Sequence, residues 1–459
     1  MSPETTRREL LKRIASLTVA APFAASPLSA SVAALLAGGG ERPGGATSEK
    51  ALGVAPTGPM GQPLPGITVG DEALLQEIEE RSFRYFWEAA SPYTGLVKDR
   101  SQADGQDPRN VASTAATGFG LTAICIAVER GFLKRDLGRK RVLATLRFLG
   151  ERMSHYHGFF YHFMDLNDGG RSWQCEISTI DTALLLCGVL TCRAYFEDKE
   201  IHLLATQLYE RADWKWMLNG GDTVSMGWKP EVGFLKGRWS KYSELMMIYL
   251  LGLGSPTHPL PAASWDAFSR PRFEYAGMTY IEGGDPLFVH LYSHAWFDFR
   301  GRHDKYADYF KNSVLATRAH RLFCLSLKDK FPKFSDDLWG FTASDSVKGY
   351  VAWGGPPPQG PIDGTIVPAA AGGAVPFLPA ECMRVLHNLR ENYGKKIWKR
   401  YSFVDAFNPN TGWVDPDVIG IDLGITMLAA ENARTGFIWT TFMKNPEAQR
   451  GMQRAGFTG

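Results

Sequence analysis

Apolar residues recur along this chain at the spacing of three and four that gathers them on one face of a helix, and loops dense in Gly, Trp, Tyr and Asp separate the segments. About a dozen helices are predicted on this basis. Leu74–Ala89 carries Leu74, Leu75, Ile78, Phe83, Tyr85 and Phe86 on its apolar side and acidic residues outside. Lys140–Ser154 is amphipathic in the same way, whereas Ala112–Glu129 is small and apolar nearly all round. Ser178–Phe196 opens on Ser178-Thr179-Ile180-Asp181 and continues as an apolar run. Leu203–Trp216, Tyr242–Leu253, Phe288–Phe297, Tyr306–Ser326, Gly364–Val375, Pro379–Tyr393, Ile421–Arg434 and Phe437–Met443 complete the set, and convincing strands are few. Buried helices thus alternate with half-buried ones, as in two concentric layers. Six helical hairpins closing on themselves, an all-α (α/α)6 barrel, account for both the number and the alternation.

The pattern fails at the N-terminus. Thr6-Arg7-Arg8-Glu9-Leu10-Leu11-Lys12 is a twin-arginine signature ahead of a weakly apolar, Ala- and Ser-rich stretch. Pro22 and Pro27 break that stretch, so it reads as an export signal over residues 1–37 rather than a permanent span. Residues 38–70, mostly Gly, Pro, Ala and Thr, read as a flexible linker, and one catalytic domain is expected over 71–459. The expected partner of the signal is the Tat translocase, and the expected destination is the periplasm or the exterior.

Composition narrows the function. A formal net charge of +2 with no basic stripe argues against nucleic acid. The 6 cysteines show no CxxC pair and no His at ligand spacing, so buried thiols are expected, without a metal. Cys187 and Cys192 share one helix but lie about 140° apart around its axis, too far round to bridge. No GxSxG elbow, phosphate loop or HExxH occurs, and no organic cofactor is expected. The 13 Trp, 16 Tyr and 27 Phe suit a core, but also a cleft in which sugar faces stack on rings.

The loops carry the candidate chemistry. They include Gly227-Trp228-Lys229-Pro230-Glu231, Gly237-Arg238-Trp239-Ser240-Lys241-Tyr242-Ser243-Glu244, Ser293-His294-Ala295-Trp296, Ala343-Ser344-Asp345, Asp363-Gly364-Thr365-Ile366 and Gly412-Trp413-Val414-Asp415. For any one loop, a tight turn with an aromatic lid is the commoner explanation; together they point to a saccharide cleft. Glycosidic hydrolysis requires two carboxyl groups, one of them held protonated by desolvation. Glu244 fits the acid, since it opens an apolar helix beside Trp239, Tyr242, Met246 and Met247. Against it stands the bland role of a helix-start carboxylate lowered by the dipole. Asp181 and the nearby Glu176 are candidates for the second group, with first-turn capping as the alternative for Asp181. Trp228, Glu231, Trp239, Tyr242, His294, Asp345, Trp353 and Asp422 are expected to bind substrate. Loop bracing for Glu231, a core role for His294 and capping for Asp422 compete with that reading.

At these loops the chain resembles the glycoamylase-like family of bacterial glycoside hydrolases, which includes endo-β-1,2-glucanases. The match runs from about Leu74 to Met443. Its most specific part is Tyr242-Ser243-Glu244 followed by Ser255-Pro256-Thr257-His258, with Ser243 where the family pattern has Asn. Ser178-Thr179-Ile180-Asp181-Thr182-Ala183-Leu184 and Glu431-Asn432-Ala433-Arg434-Thr435-Gly436 also match. The resemblance implies an (α/α)6 barrel, a β-glucan substrate with β-1,2 linkages as the leading choice, no metal or organic cofactor, Glu244 as acid and Asp181 as a cleft carboxylate. An inverting hydrolase is the reading carried forward. The competing readings are a transglycosylase, a polysaccharide lyase on the same toroid, and a glucan-binding protein without turnover.

Overall fold

The computed structural model describes residues 61–284, 286–357 and 360–459; the signal segment and most of the linker lie outside these residues. The longer helices in chain order are α1 (Val69–Glu88), α2 (Thr114–Glu129), α3 (Arg135–Glu151), α4 (Thr179–Tyr195), α5 (Lys199–Glu210) and α6 (Met246–Gly254). They continue with α7 (Tyr309–Ser326), α8 (Pro368–Ala374), α9 (Pro379–Asn388), α10 (Gly420–Thr435), α11 (Phe437–Phe442) and α12 (Pro446–Arg454).

Burial sorts them into two rings. Every residue of α6 and α8 and nearly every residue of α2, α4 and α10 is buried. These, with a pair of 3-10 turns at Leu287–His290 and Tyr292–Ala295, make the inner ring. Contacts run from α2 to α4 to α6, from the turns to α8, from α8 to α10, and from α10 back to α2. Ser293 joins the turns to α6: its hydroxyl donates to the Glu244 carbonyl at 2.8 Å and accepts from the Met247 N–H at 3.1 Å. Outside, α1 backs α10 and α2, α5 backs α4, α12 backs α6, α7 backs the turns and α9 backs α8. The chain therefore forms the (α/α)6 barrel expected. No described helix is long and apolar enough to cross a membrane.

Several elements differ from expectation for local reasons. Phe288–Phe297 is not an α-helix; Phe288 N–H is taken by the Thr342 hydroxyl at 3.1 Å, and the segment stays in two short turns. Leu203–Trp216 breaks after Glu210, and Asp213 caps a separate short helix, Trp214–Met217. Helix α12 is short and has few apolar residues to announce it, yet it supplies the outer partner of α6. The end of the expected linker is packed: Leu64 is buried, and Gly61 and Leu64 donate backbone hydrogen bonds to Thr435 and Ala433 at 2.8 Å each. The folded unit thus starts ahead of Asp71. All six cysteines are buried thiols.

Close approach of α2 to α4 depends on glycine. A Cβ on Gly188 would lie 2.1 Å from the Gly118 carbonyl oxygen, so neither helix tolerates a side chain there. Buried ion pairs then tie the rings together. Arg130 grips Glu431 with two bonds of 2.7 Å, and Arg434 reaches Glu79 at 2.5 Å, joining α1, α2 and α10. Asn432 between them bonds the Ala295 carbonyl at 2.9 Å and receives the Trp439 N–H at 3.2 Å, and Gly436 ends α10 at φ +67°. The Glu431–Gly436 motif is accordingly a structural lock. Arg130→Ala leaves the fully buried Glu431 carboxylate without its guanidinium, and a loss of about 3–5 kcal/mol is expected by denaturant unfolding.

Candidate active site

In an alternating barrel the inner helices run in one direction, so their N-termini meet at one end. A cavity of about 670 Å³ opens there. Ser113, the N-cap of α2, and Ile419 and Ile421 at the start of α10 line it. Short antiparallel strands clamp the intervening loops, among them Arg100–Gln102 on Asp417–Ile419 and Val111–Ser113 on Phe163–Asp165.

One wall holds an imidazole between two buried carboxylates. His162 Nδ1 lies 3.3 Å from Glu176 Oε1, and its Nε2 lies 3.5 Å from Asp181 Oδ1. The His162 ring stacks on Phe163, 3.8 Å between centroids, and both line the cavity. Asp181 sits in the first turn of α4, where its other oxygen meets the Ser178 hydroxyl at 2.5 Å and Ser178 caps the helix. It is thus a first-turn carboxylate set behind the imidazole that lines the cavity. The histidine was not foreseen; an isolated His at the bend before a short strand carries no spacing signal.

The facing region is a cluster of aspartates. Asp345, Asp405 and Asp415 each offer an oxygen within 4.8 Å of the others. Asp405 accepts the Asp345 N–H at 2.8 Å, and burial with the neighbouring Asp422, Asp415 and Asp345 charges drives its carboxyl well above the usual range. Asp415 is pushed up to about 7, by desolvation first and then by Asp345. It therefore holds a proton over part of its population near neutrality, as an acid–base group requires. Arg100 tempers the cluster, bonding Asp345 at 2.5 Å and Asp99 at 2.9 Å. Arg109 pairs with Asp417 at 2.6 and 2.8 Å. The spacing of the three oxygens would suit a cation; of the three, Asp345 is paired with the Arg100 guanidinium.

Aromatic side chains furnish the rim. Trp173, Tyr350 and Trp413 line the cavity. Trp173 is 53% exposed, and both it and Gln174 adopt left-handed backbone, φ +55° and +48°. Such strain in bulky residues marks a position held for function. Arg171 holds it, donating to the Gln174 and Cys175 carbonyls at 2.8 and 2.6 Å while pairing with Glu231 at 3.0 Å.

The remaining predicted residues divide. Asp345 lines the cavity and Asp422 lies in the first turn of α10 against Asp405. Glu244 is 1% exposed in the turn entering α6, outside the cavity lining. Trp239, Tyr242, His294 and Trp353 are buried supports rather than cleft contacts. His294 meets the Ser313 hydroxyl at 3.0 Å and burial holds its pKa down to about 3, so it stays neutral. The Trp353 indole donates to Ser344 at 2.8 Å. Their apolar bulk won over the polar edge that suggested binding. Glu231 braces Arg171 outside the cavity, and Trp228 is also absent from its lining.

Residues 236–446 match the Glycoamylase family model. A solved structure of a glucoamylase-like protein from Bacteroides uniformis is 31% identical, with a TM-score of 0.80, over 85% of this chain and 98% of that one. The chain belongs to this glucoamylase-like family. Another member of similar structure is an endo-β-1,2-glucanase of Chitinophaga pinensis solved with sophorotriose and glucose. It is 29% identical, with a TM-score of 0.78, over 84% of this chain and 98% of that one. An exo β-1,2-glucooligosaccharide sophorohydrolase of Parabacteroides distasonis is 29% identical over 430 residues, 84% of this chain. The chain spans 58% of the length of that curated relative.

For this glucoamylase-like barrel the aspartate cluster has a measurable cost. A carboxyl whose pKa is raised on folding binds more protons folded than unfolded, so stability falls as pH rises from the unfolded pKa towards about 7. Asp415→Asn removes that penalty. The variant is expected to gain on the order of 1–3 kcal/mol over the parent at about pH 8 and little at about pH 4, by denaturant unfolding at both.

Proposed function

We propose that this protein is an inverting glycoside hydrolase acting on β-1,2-glucan, using Glu244 as proton donor and the Asp415 cluster as base. The observation that carries the reading is a cleft with aromatic rings at its rim and a carboxyl poised near 7 in its wall. The β-1,2-linked substrates named for the Parabacteroides and Chitinophaga relatives give the linkage. Glu244 precedes an inner helix and so belongs to the cleft end of the barrel, as does Asp181. It is 1% exposed, in the turn that leads from Tyr242 into Met246 and Met247. Asp415, part-ionised at neutrality, suits a base that takes a proton from water on the opposite face of the sugar. Trp173 and Trp413 offer faces for glucose rings, while His162 with Glu176 and Asp181 offers hydrogen bonds to hydroxyls. Inversion requires the two carboxyl groups to stand about 6.5–9.5 Å apart to admit the water.

Purified protein incubated with linear β-1,2-, β-1,3-, β-1,4- and α-1,4-glucans is expected to cleave the first, releasing the inverted anomer. Glu244→Gln and Asp415→Asn should each lower kcat by about 100- to 10,000-fold with a smaller change in KM. Undiminished turnover in either variant removes that residue from the chemistry. Products longer than the substrate would indicate transglycosylation, ultraviolet-absorbing ends a lyase, and retention on glucan without turnover a binding protein.

The twin-arginine signature supports export to the periplasm or beyond through the Tat translocase, carrying the barrel folded. With Arg7 and Arg8 both changed to Lys, the protein is expected to stay in the cytoplasmic fraction on cell fractionation. Export at the parental level would dismiss that route.

A further inference from the structure

The sheet that His162 and Glu176 flank, next to the Tyr161–Ile177 bridge, has a second side. Tyr161 bridges Ile177, Ile177 pairs with Trp228, and Trp228 pairs with Phe234. Paired residues share a face and neighbours along a strand alternate. Trp228 and Phe234 therefore face away from His162 and Glu176, on the outside of the wall whose inner side meets the cleft. Aromatic rings continue over this outer face. Tyr156 lies flat on Trp228, with centroids 4.3 Å apart and planes within 4°. His157 lies flat on Trp216 at 4.3 Å and 5°, and Trp216 leans on Phe234 at 4.7 Å.

Tyr156 is 43% exposed, so this array is more than a core that reaches the surface. Its backbone is also fixed. His157 and Gly158 turn through left-handed conformations, φ +50° and +81°, and a Cβ on Gly158 would lie 2.3 Å from the Arg211 carbonyl oxygen. The His157 carbonyl takes the Asp213 N–H at 2.9 Å, and its ring nitrogen lies 3.4 Å from the Asp213 carboxylate. The result is a rigid edge at which the exposed Tyr156 and His157 rings are backed by Trp228 and Trp216, with the Asp213 carboxylate beside them. Apolar faces with a few fixed polar groups are what a pyranose requires, since its C–H faces stack on rings and its hydroxyls hydrogen-bond at the edges. A protein partner would prefer a broader apolar patch.

We propose that Tyr156, Trp216 and Trp228 form a second glucan-binding site, which docks a stretch of polymer on the outside of the cleft wall. The occupant follows from continuity: one sheet separates the site from the cleft, so a single long chain can engage both. This rests on the glucan-hydrolase reading of the cleft. Two tethered contacts raise the effective concentration of the polymer at the cleft, while a short oligosaccharide reaches only one of them.

The test compares the full chain with Tyr156→Ala, and with Tyr156→Phe to keep the stacked ring. Kinetics are measured on long β-1,2-glucan and on its trisaccharide, and mobility in gels cast with and without β-1,2-glucan. Tyr156→Ala is expected to lose most of its retardation in the glucan gel and to fall at least threefold in kcat/KM on polymer. On the trisaccharide it should stay within twofold of the parent, and Tyr156→Phe should restore polymer activity. Parental retardation in Tyr156→Ala, or an equal loss on both substrates, would overturn the second site. So would a concentration-dependent dimer, seen by light scattering, that Tyr156→Ala abolishes. A parent inactive on every glucan would defeat the catalytic reading alone; the second site would still stand or fall by whether glucan gels retard it.

Discussion

The inner helices all run the same way, and the chemistry depends on that constraint. Each begins at the cleft end, where its first N–H groups lack partners within the helix and its dipole is positive. Carboxylates placed there gain back part of what burial costs. Asp181 occupies such a place on α4, Asp422 on α10, and Glu244 stands just before α6. The direction is enforced by packing: an inner helix returns through an outer one, and α2 approaches α4 closely enough to demand Gly118 and Gly188.

Holding many carboxyl groups at one end strains the balance of charge, and the structure answers in two ways. Arg100 and Arg109 reach into the cleft loops to neutralise Asp345, Asp99 and Asp417. Asp405 and Asp415 have no such direct partner, and their carboxyls shift upward. The destabilisation this brings is tolerated because the barrel is locked elsewhere. Arg130–Glu431 joins two inner helices, and Arg434–Glu79 and Arg193–Glu447 tie inner helices to outer ones, in buried pairs far along the helices. A rigid periphery thus carries a poised end, the usual arrangement for a site that gives up local stability for reactivity.

Helices were legible in the sequence wherever burial was periodic. The alternation of all-apolar with amphipathic segments is the direct trace of two rings, which is why the barrel could be read without a repeat. Elements lacking that trace escaped: α12 is polar over most of its surface, and the 3-10 turns at Leu287–Ala295 look helical in composition. Of the cavity lining, Asp345 was legible from its loop, and Asp181 and Glu244 stood out as carboxylates at helix starts. His162, Asp405, Asp415 and Trp173 come together from loops distant in sequence, and short strands of two or three residues set their positions. Such strands leave almost no pattern. Trp239, Tyr242, His294 and Trp353 are buried outside the cavity lining, since a loop rich in rings is as readily a buried plug as a sugar platform.

Strain separates those two outcomes better than composition does. The buried rings sit in relaxed backbone and are surrounded by other apolar side chains. Trp173 and the Tyr156–His157 hairpin instead combine exposed rings with left-handed backbone at non-glycine residues, each held by a hydrogen-bonded anchor. Arg171 anchors the first and Asp213 the second. At Trp173 the left-handed backbone is a cost that packing of an exposed ring does not repay, whereas at His157-Gly158 it is the ordinary conformation of a two-residue hairpin turn. One such ring stands at the mouth of the cleft and the other on the outer face of its wall. On this reasoning both faces of one sheet serve the same polymer, with bond cleavage confined to the inner face.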